Sequence, residues 1–164
     1  MSIIDLAQYV RQHHALEHAT MNLLGRRHPY LGLAGRSTHA GFHIYGRLAT
    51  EEVASAASEG LVRLQQGEHY LAYHPRCGTN LAVTSIMAGA AAFAATLGRP
   101  RSKLERLPVA LSAATVAALV SRPLADRIQQ LITTTPEVDG LYIADVTRHE
   151  QGRFVVHKVR IDRE

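Results

Sequence analysis

Residues 74–98 read HPRCGTNLAVTSIMAGAAAFAATLG: a histidine and a cysteine on a short turn, then 21 positions, Gly78 to Gly98, without a charge. Pro75 breaks whatever element precedes it, and Thr79 or Asn80 can cap a helix beginning there. At 1.5 Å per residue such a helix is about 31 Å long, enough to cross a hydrocarbon core. A basic connector holding Arg99, Arg101, Lys103 and Arg106 follows, and then 15 more uncharged positions, Leu107 to Ser121. That second run gives about 22 Å of helix, and Arg122 and Pro123 stop it. Residues 78–121 are therefore predicted to form an apolar helical hairpin. Its small residues, such as Ser85 and Gly89 or Ala110, Ala114 and Ala118, give smooth faces for close helix contact, within the chain or in a homo-oligomer. A buried pair in a soluble core would use the same residues. The basic connector, suited to anionic headgroups, tips the balance toward membrane association through a re-entrant or monotopic hairpin on the cytoplasmic side.

Upstream, Ser2 and Asp5 resemble a capping box, and Ile3, Leu6, Val10, Met21 and Leu24 recur with helical period, so a helix is expected over 3–24, stopped by Gly25 and Pro29. The Gly-punctuated run 29–46 suggests two short strands, near Leu31–Leu33 and Phe42–Tyr45. Thr50 is placed to cap a second helix reaching about Gln66, with Glu51 and Glu52 in its first turn and a stripe of Val53, Ala57, Leu61 and Leu64. His69–His74 reads as a strand. Leu141–Ile161 alternates around EQG as a β-hairpin. The whole is predicted to be one α+β domain, residues 1–164.

Composition narrows the classes. With 46% hydrophobic and 20% charged residues the chain is globular, and 164 residues suit one core. The formal charge of +4 is spread along the sequence and is not interleaved with aromatic residues, which argues against nucleic acid as a partner. A lone cysteine, Cys77, cannot form an intrachain disulfide, and the first residues lack the pattern of a secretory signal; a cytoplasmic setting is expected.

The chemistry concentrates in QHHALEHAT, residues 12–20. On a helix His14, Glu17 and His18 share a face, while His13 is turned away by roughly 100°. The spacing H-x-x-E-H resembles the zinc helix of the inverzincin metallopeptidases. That resemblance implies His14 and His18 as zinc ligands and Glu17 as the general base. Ten His and nine Glu would yield roughly 0.03 such matches by chance. The acidic third ligand of those enzymes has no counterpart here: Thr84–Gly98 is uncharged, and Glu68 and Glu105 match poorly in spacing.

The better third ligand is in HPRCGTN, where His74 and Cys77 are both metal-competent and a helix N-terminus favours the thiolate. A set of His14, His18 and either His74 or Cys77 would leave a fourth position for water. His39 and His43, on a loop and strand, rank lower. HHALEHAT, AGRST, FHIYG and HPRCGTN before an apolar hairpin resemble, over roughly residues 10–160, an uncharacterised bacterial domain family met mainly in cyanobacteria and related photosynthetic or filamentous bacteria. That family has no assigned activity.

The leading expectation is thus a small zinc-dependent hydrolase, a membrane-associated peptidase with membrane lipid and peptide as partners. An edge strand, from the terminal hairpin or before His74, would hold the peptide. The alternatives are a non-catalytic membrane-associated scaffold or assembly factor with structural or metal-binding histidines, and a cysteine-dependent hydrolase at Cys77 with a histidine base.

Overall fold

The computed structural model describes residues 2–97, 103–152 and 154–164. Arg99 and Arg101 of the basic connector lie outside the described residues. The fold is α+β, and it divides into two compact units, one made of residues 1–74 with 130–164 and one of Pro75–Gln129.

The first unit opens with helix α1, Ile3–Arg27. Ser2 Oγ accepts from the Asp5 N–H (3.1 Å) and Asp5 Oδ2 from the Ser2 N–H (2.8 Å), the reciprocal cap that the sequence suggests. The helix runs through Gly25, contrary to expectation. No atom lies within 4 Å of where a Cβ on Gly25 would be, and an exposed glycine costs a helix only about 1 kcal/mol. It ends at His28, whose N–H bonds to Leu24 O (2.8 Å), directly before Pro29.

Strand β1 is Ala34–Thr38, not Leu31–Leu33, and β2 is Gly41–Tyr45. Apolar residues mark core strands, whereas β1 is a polar edge strand; its position is set by the turn in which Thr38 Oγ1 donates to Gly41 O (3.1 Å). Helix α2, Thr50–Gln65, is capped at Ala49: the Glu52 carboxylate accepts from the Ala49 N–H (3.1 Å), so Thr50 is not the cap.

The expected strand at His69–His74 is instead a 3-10 turn, His69–Ala72. Leu71 and Ala72 are both fully buried, which consecutive strand residues pointing to opposite faces could not both achieve on one core. Glu68 fixes the turn by binding Arg63 (2.6 Å) and Tyr70 Oη (2.7 Å), and these contacts hold its carboxyl down at about 2.

The C-terminal hairpin is as expected, β3 Leu141–Gln151 and β4 Phe154–Arg163. It joins the first hairpin in one antiparallel sheet ordered β1-β2-β4-β3. Phe42, Ile44, Val159 and Ile161 on its inner face pack with Leu16 and Leu24 of α1 and with Val53, Leu61 and Leu64 of α2. Gly60 lets the two helices cross closely, since a Cβ there would lie 3.1 Å from Ala19 Cβ.

The second unit is helical: α3 Gly78–Thr96, α4 Lys103–Val120 and α5 Arg122–Ile128. Its cap is neither Thr79 nor Asn80 but Cys77, whose Sγ accepts from the Thr79 N–H (3.4 Å), while the Asn80 amide donates to Asp126 Oδ1 (3.1 Å). No residue of α3 is buried within this chain. A one-turn π-helix, Gln129–Thr133, leads back into the first unit.

Candidate metal centre

The second half of α1 is bound on two sides by backbone, and histidines make the bonds. On one side the segment after the π-helix is strapped down: Arg11 donates to Thr134 O (3.2 Å) and Gln12 to Glu137 O (2.7 Å), and His14 Nδ1 bonds to Thr133 O (2.9 Å). On the other, Asn22 donates to Leu71 O (3.1 Å) and Tyr73 O (3.0 Å), and His18 Nδ1 bonds to Ala72 O (2.8 Å). A carbonyl oxygen can only accept, so in both imidazoles Nδ1 carries the hydrogen and, while the ring is neutral, Nε2 carries the lone pair.

The strap that Asn22 and His18 hold ends in His74. Its ring centroid lies 5.8 Å from that of His18, and His18 lies 4.3 Å from His14. Ligand-capable nitrogens of His14 and His18 come within 4.8 Å of one another. Of the four ligand candidates, the first unit therefore places His14 and His18 side by side, with the His74 ring next to that of His18. Cys77 follows three residues later as the cap of α3 and is buried.

Glu17 is 6% exposed, and its carboxylate lies directly against the backbone of Gly35 in β1. A side chain at Gly35 would overlap it, so this glycine marks a close approach of strand to helix. Glu68 is committed to Arg63 and Tyr70, which agrees with its poor match as a ligand.

His13 points away from His14 and His18, as helical geometry requires. Its Nδ1 bonds to Thr38 O (2.8 Å), and burial, aided by the charge of Arg163, pushes its pKa down. Beside it is an open cavity of about 320 Å³ lined by Tyr9, His39, Leu141, Arg160 and Arg163 among others. His39 and His43 are not gathered into a site. His39 borders that cavity, whereas His43 projects from β2 on the face away from Phe42 and Ile44, paired with Lys158.

Some contributors had no side-chain signature in the sequence. Thr133 and Ala72 act through their carbonyls, which no residue type advertises. Asn22 was legible: it falls four residues after His18, continuing a polar row of His14, His18 and Asn22 on one helix face. So was Gly35, a glycine inside a strand.

An uncharacterized protein of Picosynechococcus sp. is 37% identical to this chain over 135 residues, covering 77% of the chain and 66% of that relative. The chain thus spans about two thirds of the relative's own length. No solved structure matches. Residues 9–146, which include His14, Glu17, His18, His74 and Cys77, match the model of a domain of unknown function (DUF6391), and the chain belongs to that family.

Proposed function

We propose that this protein is a zinc-dependent hydrolase, a membrane-associated peptidase, with His14 and His18 as ligands, His74 or Cys77 completing the set and Glu17 as general base. The observation that carries the reading is the pair of carbonyl-bonded imidazoles, His14 on Thr133 O and His18 on Ala72 O, with ring centroids 4.3 Å apart. A bond from the second ring nitrogen to a carbonyl is what a metal-binding histidine needs: it fixes the ring and leaves Nε2 as the donor atom. A zinc ion held there would supply Lewis acidity and acidify a water, and Glu17, one turn from His14, would take the proton.

Cys77 enters the proposal because the chain brings it within reach. Three residues span at most about 11 Å, so Cys77 stays tethered to His74 along the chain. With three protein ligands a position is left for chemistry. If His74 and Cys77 both bind, the shell closes and the site is structural, which is the non-catalytic alternative. For substrate, β1 is an edge strand whose Gly35 abuts Glu17, and a peptide added along that edge would run past the base. β3 is the other edge.

The test separates clamp from ligand. In His18→Asn the amide nitrogen takes the place of Nδ1 and can still donate to Ala72 O, but the donor at Nε2 is gone. Elemental analysis is expected to give one zinc per chain in wild type and none in the folded variant. A cobalt-substituted protein is expected to show a thiolate charge-transfer band that Cys77→Ser removes if sulfur is a ligand. Glu17→Gln is expected to keep zinc and lose peptide hydrolysis. A wild type without stoichiometric zinc overturns the reading and favours the cysteine-based alternative.

A further inference from the structure

The second unit is built inside out. On α3 the half-buried residues are mostly small, Thr84, Ala88, Ala91, Ala92 and Ala95 among them, with Val83 the one larger apolar residue. On α4 the corresponding small residues are Ala110, Ala113, Ala114, Ala117 and Ala118, of which Ala117 is buried. The large apolar side chains point outward. Ile86 and Phe93 on α3 are 69% and 67% exposed, and Leu111 and Leu119 on α4 are 59% and 63% exposed. A water-soluble helical pair does the opposite, burying its large side chains and presenting small or charged ones. In lipid, large side chains contact the tails and small ones let helices approach.

Three further features point the same way. Helix α3 has 19 residues, about 28 Å, and is long and apolar enough to cross a membrane. Hydroxyls on these helices are turned back onto the hairpin itself: Thr96 to Phe93 O (2.6 Å), Thr115 to Leu111 O (2.9 Å), and Ser121 to Ala118 O (2.9 Å) and Thr84 (3.1 Å). Such bonding removes the cost of a hydroxyl in hydrocarbon. Finally, the chain bends by 47° where α4 ends, and the charges return there, Arg122, Asp126 and Arg127. Across the bend the apolar positions Leu124, Ile128, Leu131 and Ile132 follow helical period, and Leu124, Leu131 and Ile132 are exposed.

We infer that the α3–α4 hairpin inserts into the hydrocarbon of a lipid bilayer and that α5 lies at its headgroup surface. This rests on the membrane half of the proposed function and not on the metal. The partner is the bilayer, because the longer uncharged run matches its thickness and the sequence flanks the hairpin with Arg99, Arg101, Lys103 and Arg106 at one end and Arg122 and Arg127 at the other, suited to anionic headgroups.

The chain has no tryptophan, so Phe93→Trp and Tyr30→Trp each introduce a sole reporter, Tyr30 being fully exposed in the first unit. Each full-length variant is reconstituted in vesicles of phosphatidylcholine and phosphatidylglycerol, with and without brominated acyl chains, and zinc is measured on the same samples. The expected result is a blue-shifted Phe93→Trp emission quenched by bromine, with neither effect for Tyr30→Trp. Ile86→Arg is expected to lower vesicle partition roughly a hundredfold, as a charge mid-helix does. A vesicle-bound protein whose Phe93→Trp emission is unquenched overturns insertion in favour of surface adsorption. A discrete detergent-free oligomer that ignores vesicles overturns it in favour of a second copy covering these faces. Quenching in zinc-free samples upholds the inference even if the metal reading fails.

Discussion

Gly35→Ala tests the contact on which the position of Glu17 depends. A Cβ at Gly35 would overlap Glu17 Oε1 and lie 2.7 Å from its Cδ and 2.9 Å from its Cγ. An ordinary carbon–carbon contact begins near 3.5 Å, so the carboxyl carbon must retreat by about 0.8 Å. Glu17 is 6% exposed, which leaves little free volume for that retreat. Overpacking of this kind costs about 1–3 kcal/mol. The backbone of Gly35 itself accepts alanine, since it is not among the glycines with positive φ, and the loss of chain entropy in the unfolded state then favours alanine by about 0.4–1 kcal/mol. The two terms separate in a double-mutant cycle. In wild type, Gly35→Ala is expected to destabilise; in a Glu17→Ala background, with the obstructing side chain gone, it is expected to be neutral or slightly stabilising. Urea denaturation of the four proteins gives a coupling energy of about 1–3 kcal/mol. Glu17→Gln keeps the shape and is expected to keep the penalty. Additivity within about 0.5 kcal/mol would refute the claim that β1 holds Glu17 in place. If Glu17 is the base, Gly35→Ala also lowers hydrolysis while zinc content stays unchanged.

Two further outcomes follow from the geometry. His157 is fully buried on β4, and neither ring nitrogen has a partner among the described residues; burial, reinforced by Arg148 and opposed by Glu51, pushes its pKa below 6.5. The unfolded chain therefore takes this proton first as pH falls below 6.5, and stability is lost at about 1.4 kcal/mol per pH unit until the folded value is reached; urea midpoints at pH 7 and 5.5 are expected to differ less in His157→Phe than in wild type. Asn22→Ala removes both donors to Leu71 O and Tyr73 O, and is expected to cost about 1–3 kcal/mol and to weaken zinc binding about 10- to 100-fold by loosening the strap that carries His74, as competition with a chromophoric chelator would measure.

Helix α1, the antiparallel C-terminal hairpin and the apolar pair were legible because each rests on a pattern sustained over ten or more residues, periodicity in the first two and an unbroken lack of charge in the third, signals that survive tertiary context. The segments that depart from expectation are short, and contacts made elsewhere decide them. His69–Ala72 alternates well enough to pass for a strand, but Arg63, seven residues before Tyr70, ties Glu68 and Tyr70 into a turn. β1 carries almost no apolar signal because it is an edge, and its register follows from Thr38 and Gly41 at the turn. Among the candidate site residues, residue type and spacing singled out His14, His18 and His74, and helical geometry set His13 apart from them. What holds those rings is mostly carbonyl oxygen, and a carbonyl belongs to every residue, so the sequence could not single out Thr133 or Ala72.

Three histidines on α1 make the same bond, Nδ1 to a backbone carbonyl: His13 to Thr38, His14 to Thr133 and His18 to Ala72. Each ties a different segment to the helix, and a purely structural account of all three is coherent. Asparagine would perform that task with fewer atoms and no titration, as Asn22 does one turn further along for Leu71 and Tyr73. What distinguishes His14 and His18 from His13 is therefore the far side of the ring. At His13 that side meets a cavity where Arg160 is paired with Asp162 and Arg163 acts on the ring, its positive charge disfavouring a cation. At His14 and His18 the rings lie side by side, with centroids 4.3 Å apart, and the His74 ring lies 5.8 Å from that of His18, an arrangement that a single ion would exploit under the proposed function. The carbonyl bonds explain why these segments fold against α1, and the clustering of the rings is the part that folding alone does not require.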